Sequence, residues 1–134
     1  MRQPKILIQL DTDAQASVFD AVVALDSGVE HLLQYPAADS VSVSSLVHGA
    51  MFTRGPAQLC NTACFIGGSN VGLGEELLAK VQATFFGPIR VSVMLDSSGA
   101  NTTASAAVLC AARHLPLANA EAMVLGGTGP VGGR

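Results

Sequence analysis

The sequence predicts an α/β fold with an open, mostly parallel sheet flanked by helices on both faces, in three layers. Two observations support this prediction. Short runs of β-branched and aliphatic residues alternate along the chain with longer segments of helical periodicity, and the links between them are short. Strands that alternate with helices in this way form βαβ units with parallel pairing, because each crossover helix returns the chain to the same end of the sheet.

Four strands and four helices make up the predicted domain. The strands are expected at residues 4–10, 29–34, 61–67 and 89–95, and the helices at residues 14–25, 41–51, 71–86 and 104–113, with the last helix starting among residues 101–103. In the first helix, Val18, Val22 and Leu25 recur at the spacing of one helical face. This spacing predicts that they pack inward against the sheet.

Composition narrows the class of protein. The chain has 134 residues, of which 49% are hydrophobic and 13% charged, which is enough for one domain that buries roughly two-thirds of its unfolded surface. The net charge is −3 and no basic cluster occurs, so we expect no nucleic-acid partner. The longest uncharged run, residues 55–74, carries five glycines and several polar residues, so we expect no membrane partner.

The cysteines and histidines predict neither a disulfide framework nor a metal site. Cys60 and Cys64 are separated by three residues, which differs from the two-residue gap of common zinc and redox motifs, and Cys110 lies far from both. Three free thiols and the lack of an apolar leader before Asp11 favour a reducing, cytoplasmic location.

Two polar segments are candidate sites. The turn 96–103 follows the strand at 89–95, and ligands of open α/β sheets bind outside the carboxyl ends of strands. Asp13, Ser17 and Asp20 recur at helical spacing after the first strand and predict a polar stripe on the first helix. Each segment has a simpler interpretation, a capped helix start for the turn and a solvated helix face for the stripe.

The last residues contain a glycine pattern. The segment 122–125 is predicted to be a strand, and it runs into Gly127, Gly129 and Gly132, which fit G-x-G-x-x-G. The candidate cofactor-binding residues are therefore Gly127, Thr128, Gly129, Pro130, Val131 and Gly132. The helix and second strand of a dinucleotide-binding unit do not follow in the printed sequence, so we expect an incomplete nucleotide site here. A disordered glycine-rich end is the alternative.

Several motifs, taken together, resemble one enzyme family. They are Leu10-Asp11-Thr12-Asp13 with Ser17-Val18-Phe19-Asp20, Phe52-Thr53-Arg54-Gly55-Pro56, Phe65-Ile66-Gly67-Gly68, Phe85-Phe86-Gly87-Pro88, Met94-Leu95-Asp96-Ser97 and Gly99-Ala100-Asn101-Thr102-Thr103. In this order they resemble the N-terminal domain of the NAD(P)-dependent methylene-tetrahydromethanopterin dehydrogenases. The terminal Gly-Thr-Gly-Pro-Val-Gly resembles the start of that family's Rossmann domain.

The resemblance implies a domain division and a reaction. Residues 1–118 would form a pterin-binding domain, and residues 119–134 would begin a Rossmann domain whose remainder is expected to be absent. The implied activity moves a hydride from a methylene-tetrahydropterin, either methylene-tetrahydromethanopterin or methylene-tetrahydrofolate, to NADP or NAD. Because hydride loss leaves a methenyl cation, the site needs a negative potential more than a base.

The resemblance also implies residue roles, with no metal among them. Asp20 is the candidate catalytic carboxylate, and the candidate substrate-binding residues are Asp13, Ser17, Asp96, Asn101, Thr102 and Thr103. Two other functions stay open, a freestanding pterin or small-molecule-binding domain without catalysis and a subunit completed by a separate Rossmann chain. We expect either a homo-oligomer or such a completing domain as partner.

Overall fold

The computed structural model describes residues 3–134, and this part of the chain folds around a four-stranded sheet. The strands are β1 (Ile6–Asp11), β2 (His31–Tyr35), β3 (Thr62–Gly67) and β4 (Ser92–Leu95). The helices are α1 (Val18–Asp26), α2 (Val43–Phe52), α3 (Val71–Thr84) and α4 (Ala100–Ala112), with short 3-10 helices at Pro56–Asn61 and Ser97–Gly99. The strand order is β2-β1-β3-β4 and every pairing is parallel, which confirms the predicted α/β fold.

The register of the sheet brings all four carboxyl ends to one edge. Strand β1 pairs with β3 from Ile6 opposite Thr62 to Asp11 opposite Gly67. The chain moves from β1 to β2 on one side and then returns to place β3 on the other side of β1. The strand order therefore reverses between β1 and β3, which is the kind of position where open α/β sheets bind ligands.

The hydrophobic core lies on one face of the sheet, beneath α2 and α3. Strand residues of alternating position point to this face because side chains alternate along a strand. The core is formed by Ile8, Leu10, Cys64 and Ile66 from the strands, Val43, Val47, Ala50 and Met51 from α2, and Leu77 and Val81 from α3. Burial of each large apolar side chain stabilises the folded state by about 1.5–3 kcal/mol. The packing on this face is therefore the main source of hydrophobic stabilisation among the described residues.

The other face of the sheet is thinly covered, and the predicted inward packing of α1 is wrong. None of the nine residues of α1, all of which the structure describes, is buried. Val18 is 74% exposed, and Val22 and Leu25 are each 50% exposed. An open groove of about 540 Å³ lies between α1 and strand side chains that include Phe65 and Met94. Helical spacing shows which residues share a face, but it cannot show whether another element covers that face.

Several element boundaries differ from the predicted ones for local reasons. Helix α1 begins at Val18 rather than at residue 14, because the Ser17 hydroxyl accepts a hydrogen bond from the Asp20 N–H and ends the preceding loop. Helix α4 begins at Ala100, earlier than predicted, with Gly99 in the left-handed conformation as its N-cap. Strand β4 begins only at Ser92, because Phe86 and Ile89 form a small antiparallel bridge before it.

The strand predicted at residues 122–125 does not form. Residues 113–134 are turns and irregular backbone, and Met123, Val124 and Leu125 are exposed by 61–89%. A single run of apolar residues becomes a strand only where a neighbouring strand can accept its backbone hydrogen bonds. Within residues 3–134, every helix is too short or too polar to cross a membrane.

The three thiols differ in their exposure to solvent, and chemical labelling of them tests whether the core is packed as described. Cys64 is only 1% exposed, and burial raises the pKa of its thiol to about 11, whereas Cys60 and Cys110 are exposed. The thiolate is the nucleophile, so we expect iodoacetamide at pH 8 to modify Cys60 and Cys110 in the native protein and to spare Cys64. Mass spectrometry would count two labels before and three after denaturation. Three labels on the native protein would show that β3 is not buried as described.

Candidate functional site

A polar pocket of about 500 Å³ lies at the carboxyl edge of the sheet, beside the point where the strand order reverses. It is formed by the loops after β1, β3 and β4 and by the first turn of α1. Its lining residues are Asp13, Ser17, Phe19, Asp20, Gly68, Ser69, Asp96, Ser98, Gly99, Thr102 and Thr103. All the predicted catalytic and substrate-binding residues except Asn101 therefore line one pocket. Five further lining residues were not among the predicted site residues: Phe19, Gly68, Ser69, Ser98 and Gly99.

The loop after β1 is built around the buried carboxylate of Asp11. This residue is 0% exposed, and its two oxygens accept hydrogen bonds from the N–H groups of Asp13, at 3.0 Å, and Ser17, at 2.8 Å. Asp11 was not among the predicted site residues. An aspartate directly after a strand and followed by further polar residues is the signal that could have indicated this turn.

Asp13 lies in this loop and not on the polar stripe of α1, so its predicted helical placement is wrong. Its carboxylate accepts hydrogen bonds from both the N–H and the hydroxyl of Ser69, each at 2.9 Å. The side chain thereby joins the loop after β1 to the loop after β3. Asp13 lines the pocket through a different element from the one predicted.

Asp20 lies in the first turn of α1 and leans over the edge of the sheet. One of its carboxylate oxygens is 3.1 Å from the point where a Cβ on Gly67 would lie. Burial raises the pKa of the Asp20 carboxyl, a hydrogen bond with Ser17 opposes this rise, and the negative charges of Asp11 and Asp96 add to it. The pocket therefore holds a partly dehydrated carboxylate with two like charges nearby, and a cation placed there would be stabilised by all three.

Asp96 caps helix α4. One oxygen of its carboxylate accepts from the N–H groups of Asn101, at 2.9 Å, and Thr102, at 3.0 Å, and the other accepts from the Thr102 hydroxyl at 2.5 Å. The Asn101 side-chain amide donates to the Leu95 carbonyl at 2.6 Å and does not line the pocket. The capping role proposed as the simpler interpretation of this turn is therefore present. Because the Thr102 proton is directed to Asp96, the hydroxyl oxygen is left as an acceptor toward the pocket.

Two glycines at the end of β3, Gly67 and Gly68, bring the three loops of the pocket together. Gly68 has a φ of +105°, and a Cβ at this position would lie 2.0 Å from the Thr12 hydroxyl oxygen. The Gly67 carbonyl accepts a hydrogen bond from the hydroxyl of Ser97, a buried residue that begins the 3-10 helix after β4. The three loops of the pocket are thus in contact through backbone that tolerates no side chain at Gly68.

The glycine-rich segment does not follow a strand, contrary to the prediction. Gly127, Gly129 and Gly132 lie in consecutive turns, and the N–H groups of Gly129 and Gly133 donate to nearby carbonyls. Arg134 forms an ion pair with Glu75 of α3 at 2.6 Å. Residues 126–133 therefore do not present a helix N-terminus to a phosphate, which is the feature on which dinucleotide binding depends.

Among the residues that the structure describes, neither Arg54 nor a cluster of metal-ligating side chains forms a second site. Arg54 borders a cavity of about 730 Å³ beside α2, but its guanidinium donates to the carbonyls of Pro4, at 2.9 Å, and Asn61, at 3.0 Å. These bonds give Arg54 a structural role that joins the start of β1 to the loop before β3. Among residues 3–134, no group of three or more His, Cys, Asp or Glu side chains is arranged to hold a metal ion.

The domain is an open parallel α/β domain, and its acidic pocket lies where the strand order reverses, the position at which domains of this class bind ligands. Comparison with known proteins identifies the family within this fold class. Residues 18–98 match the family model described as methylene-tetrahydromethanopterin dehydrogenase, N-terminal. The chain belongs to this family, which confirms the relationship predicted from the motifs.

Two curated relatives come from Methylorubrum extorquens (strain AM1). The chain is 45% identical over 126 residues to the bifunctional protein MdtA, an alignment that covers 92% of this chain and 44% of that protein. It is 32% identical over 132 residues to an NAD(P)-dependent methylenetetrahydromethanopterin dehydrogenase, covering 94% of this chain and 44% of that protein. The chain therefore spans less than half the length of each of these relatives.

Substitution of Gly68 tests the contact between the loops. We expect Gly68→Ala to lower the free energy of unfolding by about 1–3 kcal/mol, because the new Cβ adopts a disfavoured φ and overlaps Thr12. Gly55→Ala is the matched control, since Gly55 has a φ of −63° and no atom within 4 Å of the added Cβ. The control should be neutral or slightly stabilising. Urea denaturation of both variants measures the difference, and equal stabilities would contradict the described loop.

Proposed function

We propose that this chain is the pterin-binding lobe of an oxidoreductase that moves a hydride from a methylene-tetrahydropterin to NAD(P), giving the methenyl form. The family match and the printed name of the second relative support the reaction class. The observation that carries the proposal is the position of Asp20, a partly dehydrated carboxylate at the sheet's strand-order reversal with Asp11 and Asp96 close by. The substrate would be a reduced pterin one-carbon carrier, tetrahydromethanopterin or tetrahydrofolate.

The chemistry requires electrostatic stabilisation and orientation. When the methylene carbon loses a hydride, the product carries a positive charge shared by two nitrogens, and no proton has to be removed. A fixed carboxylate close to these nitrogens lowers the energy of the charged transition state more than that of the neutral substrate. In this proposal Asp20 supplies that charge, while the exposed ring of Phe19 and the hydroxyl oxygen of Thr102 help to orient the pterin.

The nicotinamide cofactor supplies the hydride acceptor, and the residues of this chain do not fit it on their own. In the turns at residues 126–133, the N–H groups of Gly129 and Gly133 donate to carbonyls of the same segment. No helix forms within these residues. We therefore propose that the dinucleotide is held mainly by sequence outside this chain, either further along the polypeptide or in a separate Rossmann chain. A cytoplasmic location belongs to the same proposal, as does assembly either into a homo-oligomer or with such a completing Rossmann domain.

Titration with a methenyl-tetrahydropterin, with and without NADP, tests the proposed function on this chain directly. The methenyl form carries the positive charge that the acidic pocket is proposed to stabilise. We propose binding that weakens at high salt, because salt screens the attraction between the cation and the partly exposed carboxylates. If no methenyl or methylene pterin binds at millimolar concentration, the proposed function is wrong.

Replacement of Asp20 separates catalysis from simple binding. In the enzyme assembled with its nucleotide-binding part, Asp20→Asn should slow hydride transfer by about 30- to 900-fold, corresponding to about 2–4 kcal/mol of lost transition-state stabilisation. Single-turnover absorbance measurements would follow the methenyl product. Asp26→Asn, at the exposed far end of the same helix, is the control and should transfer hydride at the normal rate. An unchanged rate for Asp20→Asn would favour the simpler interpretation, in which Asp20 lies on a solvated helix face and takes no part in catalysis.

Dinucleotide binding by the isolated chain gives an independent check. We expect calorimetry to show weak or no binding of NADP and NAD, because Gly127, Gly129 and Gly132 lie in turns that neither follow a strand nor precede a helix. Thr128, Pro130 and Val131 lie within the same turns. Micromolar affinity for either dinucleotide would show that these residues rearrange into a complete site and would contradict the proposed division of binding.

A further inference from the structure

We propose that Asp11 is a positioning residue for Asp20: it fixes the first turn of α1 through Ser17 and places a second negative charge behind the Asp20 carboxylate. The inference deepens the proposed function, because its consequence for substrate rests on that function. The positioning role of Asp11 itself rests on hydrogen bonds and on the burial of Gln9 and Asp11.

The first step is a chain of buried and partly buried hydrogen bonds that ends at Ser17. The Gln34 side-chain amide donates to the Gln9 side-chain oxygen at 3.0 Å. The Gln9 amide nitrogen donates to an Asp11 carboxylate oxygen at 3.4 Å and to the Ser17 carbonyl at 3.3 Å. The same Asp11 oxygen accepts from the Ser17 N–H at 2.8 Å. Gln9 and Asp11 therefore hold Ser17 by both its N–H and its carbonyl.

The second step leads from Ser17 to Asp20. Ser17 is the N-cap of α1, and its hydroxyl accepts from the Asp20 N–H at 3.2 Å. Few side chains press α1 against the sheet, since none of its residues is buried. The hydrogen bonds at its first turn are therefore a main restraint on where Asp20 lies. Gln9 and Asp11 are 1% and 0% exposed, so this restraint originates in the rigid part of the sheet.

The third step concerns charge. Oxygens of Asp20 and Asp11 lie 3.1 Å and 3.5 Å from one point, the position that a Cβ on Gly67 would occupy. Around Asp20, the groups that bear on its charge are Asp11 at the end of β1, Asp96 at the end of β4, and the hydroxyl of Ser17, with Asp13 also lining the pocket. Removing the Asp11 charge should lower the pKa of Asp20, because a like charge disfavours ionisation.

Gly67 offers a way to move Asp20 while the hydrogen-bond chain stays in place, because the Asp11 oxygen, at 3.5 Å from an added Cβ, would be in ordinary van der Waals contact with it. Alanine at this position would contact the Asp20 oxygen at 3.1 Å and the Phe65 ring at 3.2 Å. Gly67→Ala should therefore displace the Asp20 carboxylate toward water while Asp11 continues to hold Ser17. The two variants, Asp11→Asn and Gly67→Ala, thus disturb Asp20 by different routes.

The test combines two NMR measurements on the isolated chain. Asp11→Asn should speed hydrogen exchange of the Ser17 amide by about tenfold or more, because an asparagine amide cannot accept from both Ser17 and Asp13, and should lower the pKa of Asp20 toward its ordinary value. Gly67→Ala should lower the pKa of Asp20 and leave Ser17 exchange unchanged. Asp26→Asn, at the exposed end of α1, should change neither quantity.

The NMR measurements test the positioning role of Asp11 independently of the proposed function. If folded Asp11→Asn keeps both the Asp20 pKa and the Ser17 exchange rate of the parent chain, the inference is overturned. If Asp11→Asn does not fold, the parent chain decides, because the bond from the Ser17 N–H to the Asp11 carboxylate should protect that amide from exchange. A Ser17 amide that exchanges at the unprotected rate in the parent chain would then overturn the inference.

A third readout connects positioning to substrate. Asp11→Asn should weaken binding of a methenyl-tetrahydropterin by about tenfold, the scale expected for one lost charge interaction, and Asp26→Asn should not. If the NMR changes occur as expected and no chain binds the pterin, the proposed function fails while the positioning role of Asp11 is supported. If the pterin binds equally well to the parent chain and to folded Asp11→Asn, the consequence inferred for substrate is overturned.

Discussion

The parallel pairing of β1 with β3 is the constraint on which the rest of the pocket depends. Its register sets Asp11 opposite Gly67, so that the two loops leaving these strands start side by side. Asp13 then reaches Ser69, and Asp20 comes to rest above Gly67. A shift of one residue in this register would point Asp11 to the opposite face of the sheet, because side chains alternate along a strand. The acidic pocket is thus a consequence of strand register as much as of loop sequence.

The one-sided core has a consequence for the pocket. The open groove between α1 and the sheet shares Phe19, Asp20, Asp96 and Thr102 with the acidic pocket. Apolar surface therefore continues directly into the region where the carboxylates meet. Surroundings of lower polarity strengthen the interaction of a carboxylate with a nearby cation and also raise its pKa. The same thin coverage that leaves α1 exposed thus influences the electrostatics of Asp20.

The sequence predicted the strands and the meeting of polar residues at one edge, because these follow from local patterns and from the parallel sheet. The strand predicted at residues 89–95, which the structure shows as Ser92–Leu95, could be identified by its β-branched and aliphatic content, and the turn after it had to reach the carboxyl edge. The packing of α1, the loop position of Asp13 and the missing strand at residues 122–125 could not be predicted in this way. Each of these features depends on another part of the chain, which must cover a helix face, accept a hydrogen bond or pair with a strand. The periodicity of a segment does not show which part of the chain lies beside it.

Asp20 differs from the other three carboxylates of this region, Asp11, Asp13 and Asp96, in the contacts that hold it in place. Asp11, Asp13 and Asp96 each accept two or more hydrogen bonds from N–H or hydroxyl groups of the loops and of α4, and these bonds hold the three loops in place. These three carboxylates therefore serve as structural links. Asp20 is held instead through its own backbone N–H and by the space above Gly67. In the proposed function, these three structural carboxylates form the wall of an acidic pocket in which the Asp20 carboxylate faces the developing cation of the substrate and stabilises it.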